Sequence, residues 1–191
     1  MWVATGVPFA VSVAADLSRV VSHALRHEPW LYELELDEAG WVSVQSLVEA
    51  LRLERGWSSL TVGDVEAVVT GASKRRHEIR DGRIRALYGH SLPGRVERVP
   101  ALPPAELFHG TSSAAAERIR GEGLRPMGRQ YVHLSVDHAT ARAVGSRKAR
   151  EPVILVVAAG AAAEAGVVFY VGNERVWLAD EVPARFVAGG R

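Results

Sequence analysis

The sequence predicts an α+β protein with two lobes, the first mainly helical and the second rich in strands. Apolar residues recur at helical spacing in three segments before residue 71. The pair Asp81-Gly82 then lies between two β-prone runs, which is typical of a hairpin with a type I′ turn. After residue 105, short apolar runs of strand length alternate with capped helical segments. Because three helices followed by a hairpin is the order of a winged-helix module, we expect such a domain over residues 16–95.

Polar residues mark the starts of the three predicted helices. Asp16 is a suitable N-cap for LSRVVSHALRH, whose apolar residues at 17, 20, 21, 24 and 25 share one helix face, and Pro29 ends this helix. Ser43 precedes the amphipathic segment VQSLVEALR, and Thr61 precedes VGDVEAVVT. The apolar stretch 1–15 is expected to form an N-terminal arm.

Charge is unevenly distributed along the chain. Residues 1–72 hold 4 Arg/Lys against 10 Asp/Glu, whereas residues 73–98, which contain the hairpin, hold 8 against 3. This basic ribbon would suit an anionic partner. It would equally suit an edge strand that charge protects from aggregation, and the sequence leaves both interpretations open.

The second lobe follows a proline-rich segment. LPGRVERVPALPP lacks helical period and predicts a linker over 96–104, so the second domain spans 105–191. Ser113 and Asp137 are predicted to cap two helices. Five strands are expected, the last two around a turn at Gly172-Asn173: LFHGT, QYVHLS, PVILVVAA, VVFYVG and RVWLA.

Composition excludes several classes of protein. The 191 residues carry a formal net charge of +1, so any anion site must come from local placement of charge. The absence of cysteine excludes thiol nucleophiles and Cys-ligated zinc, and it suits the cytoplasmic location that we expect. No Lys or Arg precedes Arg19, which argues against a signal peptide, and no apolar run is long enough to span a membrane. We expect a monomer.

Familiar catalytic motifs are missing, while arginine and histidine recur at the ends of predicted elements. There is no Walker loop, no GxGxxG after a strand, no HExxH and no GxSxG. The pair His23 and His27 is too weak a signal for a metal, and we expect none. Converging arginines suit a phosphate group. Taken alone, however, Arg26 and His27 are better explained as cations that complement the C-terminal dipole of their helix.

Seven segments, in order, resemble the RNA 2′-phosphotransferase family, the KptA-type enzymes. They cover about residues 17 to 187: LSRVVSHALRHEP, GWVSVQSLVEAL, IRALYGHS, LFHGT, GLRPMGRQYVHLS, TARAVGSR and VWLADEVPARF. The resemblance implies an N-terminal winged helix that faces RNA, followed by an ADP-ribosyltransferase-like lobe with a mixed sheet that holds NAD.

The implied activity removes an internal 2′-phosphate from tRNA-like RNA, as in RNA repair or tRNA splicing, with NAD as co-substrate. In the first step the phosphate attacks C1″ of the NAD ribose and expels nicotinamide. In the second step the ribose 2″-hydroxyl attacks the phosphate of the ADP-ribosylated RNA. This releases RNA with a 2′-hydroxyl and ADP-ribose 1″,2″-cyclic phosphate.

The resemblance also implies roles for individual residues. The implied catalytic residues are Arg26, His27, Arg76 and Arg147. The implied NAD-binding residues are His109, Gly110, Thr111, Arg129, His133, Ser135 and Val176. The implied RNA-binding residues are Arg75, Arg76, His90 and Ser91.

The chain departs from the family pattern at a few positions. His77 replaces the usual aromatic after the hairpin arginine, and adjacent Arg75 and Arg76 leave the register of that arginine open. Lys148-Ala149 stands where His-Gly is usual, and Arg175 replaces a glycine.

Two other functions compatible with this sequence are an ADP-ribosyltransferase that caps phosphorylated nucleic-acid ends and a non-enzymatic winged-helix nucleic-acid-binding protein.

Overall fold

The chain divides into two compact units. The structure, a computed structural model, describes residues 11–189. The N-terminal unit is Met1–Ala86 and the C-terminal unit is Leu87–Arg191, and each is described by itself.

Three α-helices form most of the N-terminal unit: α1 (Val11–Arg26), α2 (Val44–Arg52) and α3 (Val62–Thr70). The predicted caps of the last two are confirmed. The Ser43 hydroxyl accepts from the Ser46 N–H, and Thr61 forms a reciprocal capping box with Asp64. A short 3-10 helix, Pro29–Tyr32, follows α1 and begins at the predicted breaker.

The predicted start of the first helix is wrong. α1 begins at Val11, so Asp16 lies inside it and forms an ion pair with Arg19 one turn later. No glycine or proline interrupts residues 11–16, and the exposed Asp16 is tolerated without acting as a cap. The predicted arm therefore contains the first residues of this helix, and its residues 1–10 lie outside the described part of the chain.

A three-stranded antiparallel sheet completes the N-terminal unit: β1 (Val42–Ser43), β2 (His77–Arg80) and β3 (Arg83–Ala86), in the order β1-β3-β2. The predicted hairpin is confirmed. Asp81 and Gly82 both have positive φ, 51° and 69°, as a type I′ turn requires.

The core of the N-terminal unit joins the three helices to the hairpin. Its fully buried side chains include Leu17, Leu25, Leu47, Leu51 and Ile84. The helix face that carries the apolar residues of α1 is thereby fixed against the sheet. The opposite face of α1 is left for polar residues.

The C-terminal unit is built on a six-stranded sheet in the order β7-β8-β5-β4-β6-β9. Its strands are β4 (Leu107–Thr111), β5 (Val132–Ser135), β6 (Val153–Val157), β7 (Phe169–Asn173), β8 (Val176–Ala179) and β9 (Val187–Ala188). Its helices are α4 (Ser113–Glu122), α5 (His138–Gly145) and α6 (Ala159–Glu164), with a 3-10 helix at Ala184–Phe186.

Several expectations for this unit need correction. Every named strand pairing is antiparallel, so the expected mixed sheet is wrong. The connection through α4 is long enough to bring β5 back antiparallel beside β4. The cap of α4 is Ser112 rather than Ser113, whereas Asp137 caps α5 as predicted. The strand β9 and the helix α6 were not predicted.

The last hairpin turns two residues later than expected. Gly172 and Asn173 belong to β7, where a register irregularity lies between Val171 and Asn173, and the turn is formed by Glu174 and Arg175. The Asn173 side chain accepts the Arg175 N–H at 2.8 Å. This local bond favours the later turn.

The predicted linker packs on the C-terminal unit. The Val96 N–H donates to the Gln130 side chain, and the Tyr131 hydroxyl donates to the Val96 carbonyl at 2.8 Å. The Ala101 N–H donates to the carbonyl of Phe169.

None of the helices in the described part of the chain combines the length and the hydrophobicity needed to cross a bilayer.

Candidate functional site

A cleft of about 880 Å³ lies between α1 and α3 in the N-terminal unit. One wall is the polar face of α1, with Ser22, His23 and Arg26, and His27 follows directly. The other wall comes from α3 and the loop after it, which ends in Arg76. The structure thus brings the predicted catalytic residues of this unit, Arg26, His27 and Arg76, to one cavity.

A hydrogen bond joins the two arginine-bearing segments. Nη2 of Arg26, the last residue of α1, donates to the main-chain carbonyl of Arg76 at 3.2 Å. Arg76 immediately precedes β2, so the end of the helix is tied to the start of the hairpin. Since guanidinium groups stay charged at any working pH, the cleft has a permanently cationic end.

Arg75 lies on the other side of this segment. It lines a separate cavity of about 610 Å³ and is 3.9 Å from the Glu78 carboxylate. The adjacent pair of arginines is therefore divided between two surfaces, and Arg76 is the member that shares a cleft with Arg26 and His27.

His77 is a buried residue next to the cleft that the sequence did not single out as a site residue. Its imidazole is 5% exposed, and Nε2 lies 3.1 Å from the Ser22 hydroxyl. Burial, together with the positive charges of Arg26 and Arg76, lowers the pKa of His77 to about 3. Its ring is therefore neutral at physiological pH. The sequence offered two signals, the place of His77 beside two arginines and its replacement of the aromatic usual in the family, and neither shows its burial or its lowered pKa.

His23 is held at the lip of the cleft by two neighbours. Its Nδ1 lies 3.1 Å from the Tyr32 hydroxyl, and its Nε2 lies 3.0 Å from the Glu28 carboxylate. The His23 and His27 rings are 6.1 Å apart. Within the described residues, no group of three or more His, Cys, Asp or Glu side chains could hold a metal ion.

In the C-terminal unit, most of the predicted NAD-binding residues fall on three neighbouring strands. β4 carries His109, Gly110 and Thr111, β5 carries His133 and Ser135, and β8 carries Val176. Ser135 pairs with Val176 on one side and with Phe108 on the other. The sheet order thus places these residues side by side, although they are up to 67 positions apart in the sequence.

The two strand histidines are oriented by main-chain carbonyls. Nδ1 of His109 donates to the carbonyl of His133 at 3.0 Å, and Nδ1 of His133 donates to the carbonyl of Tyr131 at 3.0 Å. Because a carbonyl only accepts, each Nδ1 carries a proton, and whenever either ring is neutral its lone pair is on Nε2. Such a pair of acceptors fits hydroxyl donors, including those of a ribose.

The environment of His109 favours its neutral form. Burial lowers the pKa of His109, and the charge of Lys148 lowers it further, while the bond to the His133 carbonyl acts in the opposite direction. Lys148 itself has a lowered pKa because of partial burial and the charge of Arg129. Lys148 is therefore a cation close to this histidine, and Arg129 is a second cation close to Lys148.

Gly110 allows a close approach between two main-chain segments, and the segment that approaches it is helix α5. A Cβ at Gly110 would lie 1.9 Å from the Ala141 carbonyl oxygen of α5, and a Cβ at Gly145 would lie 3.0 Å from the Gly110 carbonyl carbon. The resemblance implies that this glycine contacts NAD, a role that stays a prediction. The structure assigns the approach to the contact between β4 and α5.

The remaining predicted residues have contrasting environments. Arg147 is exposed and lies two residues after the end of α5. His90 is 2% exposed and its carbonyl accepts from the Gln130 N–H, whereas Ser91 is exposed. RNA contact by His90 and Ser91 stays a prediction.

The sequence is similar to one family model and to several proteins that share one name. A family model described as RNA 2′-phosphotransferase, Tpt1 / KptA family, matches residues 12–181. A protein of Bacillus thuringiensis subsp. konkukian named "Probable RNA 2′-phosphotransferase" is 51% identical over 173 residues, which cover 91% of this chain and 94% of that protein. Proteins of the same name from Acetivibrio thermocellus and Streptomyces griseus are 45% and 43% identical. They are matched over 95% and 94% of their lengths, and over 91% and 90% of this chain.

Proposed function

The chain belongs to the RNA 2′-phosphotransferase, Tpt1 / KptA family, and from this membership and the two sites we propose that it removes an internal 2′-phosphate from RNA by transferring it to NAD. The protein is an enzyme of the transferase class. The non-enzymatic alternative is therefore set aside. The cationic cleft beside α1 is the observation that carries the RNA half of the proposal.

The reaction that we propose has two displacements. The RNA 2′-phosphate forms a bond to C1″ of the NAD ribose, and the bond from that carbon to nicotinamide breaks. The ribose 2″-hydroxyl then attacks the phosphorus, and the bond to the RNA 2′-oxygen breaks. The products are nicotinamide, RNA with a 2′-hydroxyl and ADP-ribose 1″,2″-cyclic phosphate.

The cleft residues are proposed to bind the phosphate. Arg26 and Arg76 share one cavity and are joined through the Arg76 carbonyl, so both guanidiniums can contact one dianion. His27, in the same cavity, can orient the phosphate or transfer a proton. Arg75, which lines the other surface, and the exposed Ser91 are each proposed to contact the RNA backbone, whereas His90 is 2% exposed and would act only through its neighbour Ser91.

The strand residues are proposed to bind NAD. The Nε2 atoms of His109 and His133 would accept hydrogen bonds from its ribose hydroxyls, since both Nδ1 atoms are committed to carbonyls. The cationic Arg129 suits a diphosphate. Thr111, Ser135 and Val176 lie on the same three strands, and Gly110 maintains the β4–α5 contact beside them.

Arg147 is proposed to stabilise the charge that develops on the phosphate during the two displacements. Replacing Arg147 by Ala is expected to abolish the reaction or to stop it at ADP-ribosylated RNA. Thermal unfolding of the variant should match the wild type, since the side chain is exposed. Full activity of this variant would remove Arg147 from the mechanism.

One incubation tests the proposed function. Purified protein is mixed with NAD and an oligoribonucleotide that carries one internal 2′-phosphate, and the products are identified by mass spectrometry. We expect free nicotinamide and RNA that has lost the mass of the phosphate, and no release of nicotinamide with the same oligonucleotide made without the 2′-phosphate. RNA that keeps a stable ADP-ribose group would instead support the capping ADP-ribosyltransferase.

A further inference from the structure

Two hydrogen bonds connect the last two turns of α1 to the start of β2. Ser22 lies 3.1 Å from Nε2 of His77, and Arg26 donates to the carbonyl of Arg76 at 3.2 Å. Ser22 and Arg26 are one helical turn apart and therefore share a face of α1. Arg76 and His77 are consecutive, so two neighbouring residues of one segment are bound to two neighbouring positions of the other.

We propose that His77 is a positioning residue, which holds the Arg76 main chain against the last turn of α1 and thereby sets the spacing of the Arg26 and Arg76 guanidiniums. The proposal rests on the proposed function, in which these two arginines bind the 2′-phosphate. His77 is buried behind the arginines and would not itself contact the RNA.

Histidine suits this position because it forms a polar bond without adding charge. The ring lies close to the positive charges of both Arg26 and Arg76, and a third cation there would be costly. A neutral imidazole still has one donor and one acceptor nitrogen. Leucine would fill the space without the bond to Ser22, whereas glutamine could keep a hydrogen bond.

The other charged groups around the ring pair with one another or are exposed to solvent. On β2, Glu78 pairs with Arg85 of β3 at 3.2 Å and lies 3.9 Å from Arg75. From α3, the exposed Glu66 lines the second cavity together with His77. On β3, the residue paired with His77 is the apolar Ala86. The charges that dominate at His77 are therefore those of the two cleft arginines.

Steady-state kinetics with matched variants test the positioning role. Losing one intramolecular hydrogen bond should raise KM for 2′-phosphorylated RNA by about 3- to 10-fold in His77→Leu and in Ser22→Ala. KM for NAD should stay at the wild-type value, and His77→Gln should recover KM for RNA to within about twofold of wild type. A variant that merely folds less well would lower kcat with both KM values unchanged. Wild-type KM for RNA in His77→Leu would overturn the proposal.

NMR titration of the His77 ring gives a second readout that does not depend on catalysis. The probe is adenosine 2′-monophosphate, whose dianion should offset the two guanidiniums and raise the pKa of His77. Arg26→Ala and Arg76→Ala should raise that pKa in the free protein, whereas Arg80→Ala, an exposed residue on the same strand, should leave it unchanged.

The titration separates failure of this proposal from failure of the proposed function. If the pKa rises as expected but the RNA keeps its 2′-phosphate in the presence of NAD, the reaction is wrong and the arrangement around His77 stands. If the wild type removes the phosphate while neither arginine variant changes the pKa of His77, the positioning role is overturned and the reaction stands.

Discussion

At the scale of single residues, the two strand histidines show how the fold prepares acceptors. His109 and His133 each donate the Nδ1 proton to a main-chain carbonyl, and burial lowers the pKa of His109, which favours its neutral form. Side-chain rotation is thereby restricted before any ligand arrives. A ligand that donates hydroxyl groups avoids part of the ordering cost that a flexible site would impose.

Replacing His109 by Ala should therefore weaken NAD binding. The loss of one oriented acceptor is expected to raise the dissociation constant by about tenfold, corresponding to about 1.4 kcal/mol. Isothermal titration calorimetry with NAD measures this directly. His138→Ala is the control, because that histidine is exposed at the start of α5. Unchanged affinity in the His109 variant would remove it from the proposed NAD site.

Which of these residue properties could be predicted depends on their range along the chain. Arg26 and His27 were identified correctly as neighbours at a helix end, since both lie within one local pattern. Arg76 was chosen over Arg75 on the resemblance, and the residues themselves left the register open because it depends on which side of the segment before β2 faces α1. The lowered pKa of His77 likewise could not be predicted from the sequence, since it arises from burial and from the charge of Arg26, which is 51 positions away.

At the scale of elements, a contact between two glycines fixes α5 on β4. Gly110 lies against the carbonyl of Ala141, and Gly145 packs on Gly110 and Pro152. The end of α5 determines the position of Arg147, since only Ser146 separates this residue from the helix. A small change in this packing should therefore affect both the fold of the unit and the reaction.

Replacing Gly110 by Ala tests this contact. The added methyl would sit 1.9 Å from a main-chain oxygen, so α5 must move, and we expect a loss of about 1–3 kcal/mol in the free energy of unfolding. Urea unfolding provides the measurement. Gly121→Ala is the matched control, because a Cβ at this position in α4 meets nothing, and its helix propensity should improve stability by about 1 kcal/mol. Equal stability of the two variants would contradict the contact.

Element boundaries were predictable where one side chain decides them. Ser43, Thr61 and Asp137 cap their helices as expected, because the cap bond is local. The start of α1 and the turn at Glu174-Arg175 were predicted wrongly. In each case the sequence offers residues suited to the role, Asp16 as a cap and Gly172-Asn173 as a turn, that the structure does not use. The short strand β9 forms only because β6 offers it an edge.

At the scale of the whole chain, the two compact units divide after Ala86, while the sequence predicts a first domain to residue 95 and a linker over 96–104. A proline-rich sequence predicts an extended backbone. Such a backbone is compatible both with a linker and with a segment that packs on the surface of a domain. The segment packs on the C-terminal unit because Val96 forms hydrogen bonds with Gln130 and Tyr131. Neither residue is near Val96 in sequence.

The free energy of unfolding of the whole protein should fall in acid partly because of one buried histidine, His77. The pKa of His77 is about 3 in the folded protein and about 6.5 in the unfolded chain. Between these two values, the unfolded chain binds a proton at this residue and the folded protein does not. The stabilising contribution is complete above pH 6.5 and is lost as the pH falls toward 3. At pH 5 the loss amounts to about 2 kcal/mol.

Comparing wild type with His77→Leu isolates this contribution. Other titrating groups, including His109, are present in both proteins and cancel in the difference. Chemical unfolding followed by circular dichroism at pH 7.5, 6.5, 5.5 and 5.0 should show the wild type losing about 2 kcal/mol more than the variant across the series. Parallel curves would mean that the ring titrates normally in the folded protein. The imidazole would then gain a proton beside Arg26 and Arg76, which its burial and their charges should prevent.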